Sequence, residues 1–164
     1  MKKIVLAAVA GLAIAAAGLW QFSGASSAAP VVTFTTLKGD TFTTPDLRGK
    51  VVLVKFWATS CVTCIAQMPD AIQNYTTLSP QGFDTVAVAM DYDPPAYVKN
   101  FAESRKLPFK VVMDSSGEIA KAFGDVKLTP TAFLIDKNGQ IIKRYLGNYD
   151  KEDFLRTVKK ALAS

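Results

Sequence analysis

Read as a string of apolar and polar positions, the chain changes period several times. From Val51 to Trp57, "VVLVKFW" is β-branched and almost continuously apolar, the pattern of a strand buried on both faces at the centre of a sheet. From Cys61 onward, Ile65, Met68, Ile72, Tyr75 and Leu78 recur at steps of three or four, which predicts a helix with one apolar stripe. Pro69 falls inside that helix. It has no N–H for the carbonyl of Ile65 and its ring crowds the turn, so a kink is expected one turn past the cysteines.

The remaining segments alternate in the same way. "GFDTVAVAMD" predicts a strand, "DPPAYVKNFAESRK" a helix that turns Val98, Phe101 and Ala102 inward, and "PFKVVMD" a short strand. "SSGEIAKAFG" reads as a brief helix. In "TAFLIDKNGQIIKRYLG" two strands flank Asn138-Gly139, a dipeptide suited to the positive φ angles of a tight hairpin. A last helix starts with Asp150 as N-cap and Asp153 in its first turn, with Phe154, Val158, Ala161 and Leu162 toward the core. Upstream, "VVTFTTLKGDTFTTPDLRGK" reads as a leading hairpin that turns at Lys38-Gly39-Asp40, with a further turn at Gly49-Lys50. The order predicts an α/β fold with a mixed central sheet flanked by helices, because parallel neighbours need a crossover. Both cysteines then sit at the carboxyl end of a central strand, where open α/β sheets place their sites.

The N-terminal stretch follows neither period. Lys2 and Lys3 precede an uncharged run from Ile4 to Trp20 and a small-residue tail ending near Ala28 or Ala29, the order of an export signal. The run is long enough for two outcomes: a cleaved signal peptide, or a membrane anchor through residues 4–20. Residues 1–29 are therefore set apart from a single domain over 30–164. Without Lys2 and Lys3 the 19 basic residues fall to 17 against 14 acidic ones, too small an excess to argue for nucleic acid. An exported protein lies where disulfides persist, so the expected location is periplasmic or otherwise extracytoplasmic.

The two cysteines, Cys61 and Cys64, stand three positions apart in "FWATSCVTCIAQMPDA". A bridge between them closes too small a loop to staple the fold, which favours chemistry over structure. The chain contains no histidine, and this excludes c-type haem attachment, Cys-His nucleophilic catalysis, the serine triad and histidine-bearing metal sites together. Structural zinc would need a second cysteine pair. Redox chemistry remains, and it needs no cofactor. A thiol at a helix N-terminus meets unsatisfied amide groups that favour the thiolate, so Cys61 is the expected nucleophile and Cys64, one turn deeper, the resolving thiol.

At these residues the chain resembles the thioredoxin superfamily, and within it the exported TlpA-like branch that includes the reductases of cytochrome c maturation. "GKVVLVKFWATSCVTCIAQMP" is similar to that branch's signature strand, active site and kinked helix, and "LTPTAFLIDKNGQIIKRYLG" to its proline loop and hairpin. The resemblance implies a thioredoxin-like sheet with an N-terminal β-hairpin extension. It also implies a cis bond at Thr129-Pro130 beside the cysteines, and a Thr129 backbone that pairs with the bound partner. The activity it implies is thiol-disulfide exchange that reduces protein disulfides, with a membrane thiol donor to re-reduce the pair.

The chain also departs from that pattern. Lys55 stands where thioredoxin carries a buried aspartate, and Gln67 where many TlpA-like reductases have a glutamate, so neither usual proton acceptor is present. Ser60 replaces a frequent aromatic, and the inner pair is Val62-Thr63. Lys55 has two readings: a buried amine that acts on Cys64, or a lysine whose stem packs on the sheet while its head reaches water. Trp57 is expected to pack beside the site and shield the thiolate. The alternative function is delivery of a soft metal such as copper between Cys61 and Cys64, with sulfur from Met68 or Met90. A peroxidase would need a proline and threonine spacing upstream of the cysteine that is absent here.

Overall fold

The structure, a computed structural model, describes residues 27–164; the apolar run at 4–20 and most of the proposed leader lie outside them. A six-stranded sheet runs in the order β1 (Ser27–Ala28), β8 (Gln140–Leu146), β7 (Thr131–Ile135), β4 (Val51–Trp57), β5 (Phe83–Ala89) and β6 (Lys110–Met113). β4 is parallel to β5 and antiparallel to β7, so the sheet is mixed as expected. All of β4, β5 and β7 is buried, in keeping with their largely apolar runs, and Lys55, Asp84, Thr85 and Thr131 are buried with them.

Alternation along β4 divides the core into layers. Val52, Val54 and Phe56 join Phe34, Val88, Phe123 and Phe133 under the hairpin β2 (Thr33–Thr35) and β3 (Thr41–Thr43). Val51 and Leu53 point to the other face, where they meet Phe154 and Val158 of the closing helix Lys151–Ala163. Trp57 continues on that face among Cys64, Met68, Val98 and Phe109. Lys55 lies between Leu53 and Trp57 on the same side, at the seam of two apolar clusters.

The elements follow the sequence pattern, the expected break at Pro69 included, with two differences: the inward face of the helix after the cysteines, and the β7–β8 turn. The helix after the cysteines is split into α1 (Val62–Ala66) and α2 (Met68–Leu78), with Pro69 in the first turn of the second half. Beyond the break the inward face turns, so Ala71 and Asn74 are more buried than Ile72 and Tyr75 of the expected stripe. The remaining helices are α3 (Pro95–Ser104), α4 (Glu118–Ala122) and α5 (Lys151–Ala163), the last capped by Asp150 accepting from Asp153 N–H at 2.6 Å.

The second difference is the β7–β8 turn. Only Gly139 has positive φ, at 80°, and Asp136 accepts the N–H groups of Asn138 and Gln140. The connection is a wider turn with a register shift after Leu134, because the Asp136 side chain organises it locally. At the N-terminus, residues 27–29, which read in the sequence as the end of the leader, make backbone contacts with the sheet. Ser27 and Ala28 pair with β8, and Ala29 N–H donates to Gly139 O at 2.9 Å. The β2–β3 hairpin reaches the far side of the sheet, where Leu37 N–H donates to Val111 O at 3.0 Å and Thr36 bridges Val112.

Candidate active site

β4 delivers the chain to a loop that is held before it turns into α1. The backbone N–H and the hydroxyl of Thr59 both donate to the Asp93 carboxylate, each at 2.6 Å, and Asp93 is buried. Cys61 is the N-cap of α1, with extended backbone, and its Sγ accepts the Cys64 N–H at 3.1 Å. The two cysteines form a disulfide with Cα atoms 5.2 Å apart. Cys61 is half-buried and Cys64 has 0% exposure, so a partner can reach one sulfur and not the other. An amide donor already aimed at Cys61 Sγ favours the anionic sulfur once the bond is reduced.

The Thr129–Pro130 peptide is cis. Phe56 pairs with Thr131, which places Pro130 alongside Trp57 at the cysteine end of the sheet. Pro130 is buried and Thr129 half-buried. Thr129 Oγ1 lies 3.2 Å from the Tyr92 hydroxyl, and Pro130 O accepts from Gly147 N–H at 2.8 Å. Adjacent residues, Tyr92 and Asp93, thus tie the proline loop and the cysteine loop together. Trp57 is fully buried against Phe101, ring centroids 5.3 Å apart, in the cluster that holds Cys64. It packs behind the resolving cysteine.

Lys55 is 1% exposed, which overturns the reading in which its head reaches water. The central strand is covered on this face by helices, and the stem is too short to leave from there. Nζ donates to Gln67 Oε1 at 2.5 Å and lies 5.9 Å from the Tyr149 ring centre. Burial pushes the Lys55 amine down to about 8, and burial, with Asp70 and Tyr145 adding, pushes Tyr149 up to about 12. Gln67 Nε2 in turn donates to Gly147 O and Asn148 Oδ1, both at 3.2 Å.

The two methionines separate. Met68 packs in the cluster of Cys64, whereas Met90 belongs to the core beneath the hairpin, on the other face of the sheet. Met90 is therefore withdrawn as a sulfur donor to the cysteine pair: residues alternate across β5 and its extension, and this position faces away. Among the described residues no group of three or more acidic or cysteine side chains could hold a metal ion.

Sequence reading names Cys61, Cys64, Trp57, Lys55, Thr129 and Pro130, and the structure gathers them at one end of the sheet. It does not find Asp93, which reads as the start of a helix, or Tyr92 just before it. Nor does it find Gly147, Asn148 and Tyr149. Gln67 is marked in the sequence only as the place of a missing acid.

A half-exposed N-cap sulfur bonded to a buried one, beside a cis proline on a mixed sheet of this order, defines a thioredoxin-fold disulfide-exchange protein. Residues 24–162 match the Redoxin family, to which the chain belongs, as a TlpA-like member of the thioredoxin superfamily and a thiol-disulfide oxidoreductase. It is 37% identical over 132 residues to the thiol-disulfide oxidoreductase ResA of Bacillus thuringiensis subsp. konkukian, covering 80% of this chain and 75% of the relative. It is 38% identical over 130 residues to ResA of Geobacillus kaustophilus, covering 79% and 74%. The solved thiol:disulfide interchange protein of Chlorobium tepidum TLS superposes with a TM-score of 0.76 at 32% identity, covering 85% of this chain and 99% of that one.

Proposed function

We propose that the chain reduces protein disulfides outside the cytosol. The observation that carries this reading is the asymmetry of the pair: Cys61 half-exposed with an amide donor on its sulfur, Cys64 fully enclosed. Cys61 thiolate attacks a partner disulfide and forms a mixed disulfide, and Cys64 then attacks Cys61 Sγ and releases the reduced partner. The exposed apolar side chains of Val62, Tyr92 and Leu128 offer contact area around Cys61, with the Thr129 backbone as the rail on which the partner chain pairs.

The location rests on the order of charge, apolar run and small residues over 1–29, with 30–164 as the working domain. Among the described residues no helix is long and apolar enough to cross a membrane. Release or anchoring thus turns on residues 4–20. Net reduction in that compartment requires a membrane thiol donor to restore the dithiol, because the surroundings favour disulfides.

Trapping tests the reading. A Cys64→Ala variant lacks the resolving thiol and is expected to hold its partner as a mixed disulfide, stable to gel separation without reductant and identifiable by mass spectrometry. Apo-cytochrome among the trapped proteins would support a part in cytochrome c maturation, and varied secreted proteins would support general reduction. Capture of nothing through Cys61, together with tight copper binding by the parent dithiol, would favour metal delivery.

A further inference from the structure

Lys55 and Gln67 depart from the related pattern one at a time, yet the fold puts them in contact. Lys55 enters from the central strand, with Ala87 and Ala132 as its paired neighbours on β5 and β7. Its hydrogen bond to Gln67 and the Tyr149 ring are the polar contacts of a side chain with 1% exposure. An ammonium has three donors, and leaving most of them unmatched in an apolar seam is unfavourable. Losing a proton from that position relieves the mismatch.

Gln67 connects this amine to the resolving cysteine. It follows Cys64 by three positions, so the two side chains lie one turn apart on one side of the helix. Its Nε2 is engaged by Gly147 O and Asn148 Oδ1, which fixes the amide with Oε1 toward Lys55. Gln67, Asp70, Asn74, Asn148 and Tyr149 also line a surface cleft of about 250 Å³, so the amide that holds Lys55 borders solvent on its other side.

We propose that the Lys55 amine is the proton partner of Cys64, and that Gln67 is the positioning residue that keeps it there. The proposal rests on the dithiol reading above and adds the fate of the proton. Once Cys61 has displaced one thiolate of the substrate disulfide, the Cys64 thiol gives its proton to neutral Lys55. The Cys64 thiolate attacks Cys61 Sγ, the Cys61–Cys64 bond forms, and the substrate's second sulfur leaves with the electron pair of the broken mixed disulfide. The substrate gains two electrons, the dithiol loses two, and the departing thiolates take protons from solvent as Lys55 returns its own. When an external dithiol reopens the bond, protonated Lys55 supplies the proton that Cys64 needs as leaving group.

An amine differs from an acid here in the sign of its charge. A carboxylate acceptor is negative while empty and neutral when loaded, whereas Lys55 is neutral while empty and positive when loaded. The charge at position 55 is never negative, which favours the reduced thiolate form and makes the couple more oxidising than an acid would. Of the titratable groups on the elements that pack on this face, Tyr149 has its ring 5.9 Å from Nζ; the others are Cys61 and Cys64 on α1, Asp70 on α2, Tyr145 on β8 and Lys151 at the start of α5. Burial keeps Tyr149 neutral up to about 12, and Asp70 and Lys151 pair with each other at 2.6 Å.

The test follows opening of the Cys61–Cys64 disulfide by dithiothreitol from pH 6 to pH 10, together with the equilibrium against glutathione. The parent is expected to show an inflection near 8, where burial places the amine. Lys55→Met should lose that inflection, open about tenfold more slowly below it, and shift roughly tenfold toward the disulfide in glutathione. Lys55→Arg keeps a cation that does not titrate between pH 6 and pH 10, so it should hold the parent equilibrium and lose the inflection. Nitrogen NMR of the parent's lysines provides a measurement free of substitution: Lys55 must titrate differently in oxidised and reduced protein. Identical titration in both states, or a Lys55→Met profile equal to the parent's, overturns the proposal. Neither readout uses a protein substrate, so failure to reduce any protein disulfide would sink the function proposed above and leave the proton partner standing.

Discussion

Cys61 and Cys64 share one covalent bond and occupy different environments, and their reactivities should differ accordingly. In reduced protein Cys61 is expected to react with iodoacetamide at least tenfold faster than Cys64 at pH 7, with thiolate persisting below the usual value of about 8.5. Peptide mapping after a timed quench checks this, and equal rates would refute it. Lys55 gives a stability prediction of definite sign. Its folded value of about 8 lies below the ordinary 10.5, so between those limits the unfolded chain binds a proton that the folded chain does not. Stability should therefore rise with pH across that window, and below it the parent carries the full penalty, roughly 3 kcal/mol. Lys55→Met should abolish the slope and be the more stable protein at pH 7, as read from urea midpoints at pH 7 and pH 10. Cys61 and Cys64 were legible in the sequence because their meaning is local, in spacing and neighbours, whereas Pro130 was marked by the family resemblance. The Lys55–Gln67 contact was not legible, since it needs a helix break and a loop some 80 positions downstream to aim the amide.

Among the elements, the loop from Met90 to Pro94 holds more of the site than its sequence suggests. Asp93 fixes Thr59 before the cysteines, and Tyr92 meets Thr129 before the proline. Asp93→Ala leaves the Thr59 N–H without its acceptor and should destabilise the protein by about 2 kcal/mol. Asp93→Asn, which keeps an acceptor oxygen, should lose about half as much, and chemical denaturation of both variants decides the order. Strands β4 and β5 and the break at Pro69 could be read in advance because apolar runs and a missing N–H act within a few residues. The β7–β8 turn could not, because Asn138-Gly139 competes there with Asp136, whose carboxylate takes two backbone N–H groups and widens the turn.

At the scale of the whole molecule, the chain's first described residues serve the sheet. A protein beginning at Pro30 would lose the pairing of Ser27 and Ala28 with β8 and the bond from Ala29 to Gly139, and should unfold about 1 kcal/mol earlier than one beginning at Ser27. Thermal melts of the two forms measure the difference. The sheet order was anticipated in its class from the alternation of strands and helices, while the pairing of β1 lay inside a stretch that reads as leader. The β2–β3 hairpin has a consequence of another kind at the opposite end. β6 is the last strand there, and an uncovered last strand offers N–H and C=O groups to any extended chain that meets it. By bonding Leu37 to Val111 and bridging Thr36 to Val112, the hairpin occupies part of that offer with the protein's own backbone. Extended chains that meet this edge are thereby hindered from adding to the sheet, and copies of the protein from joining their sheets into fibres.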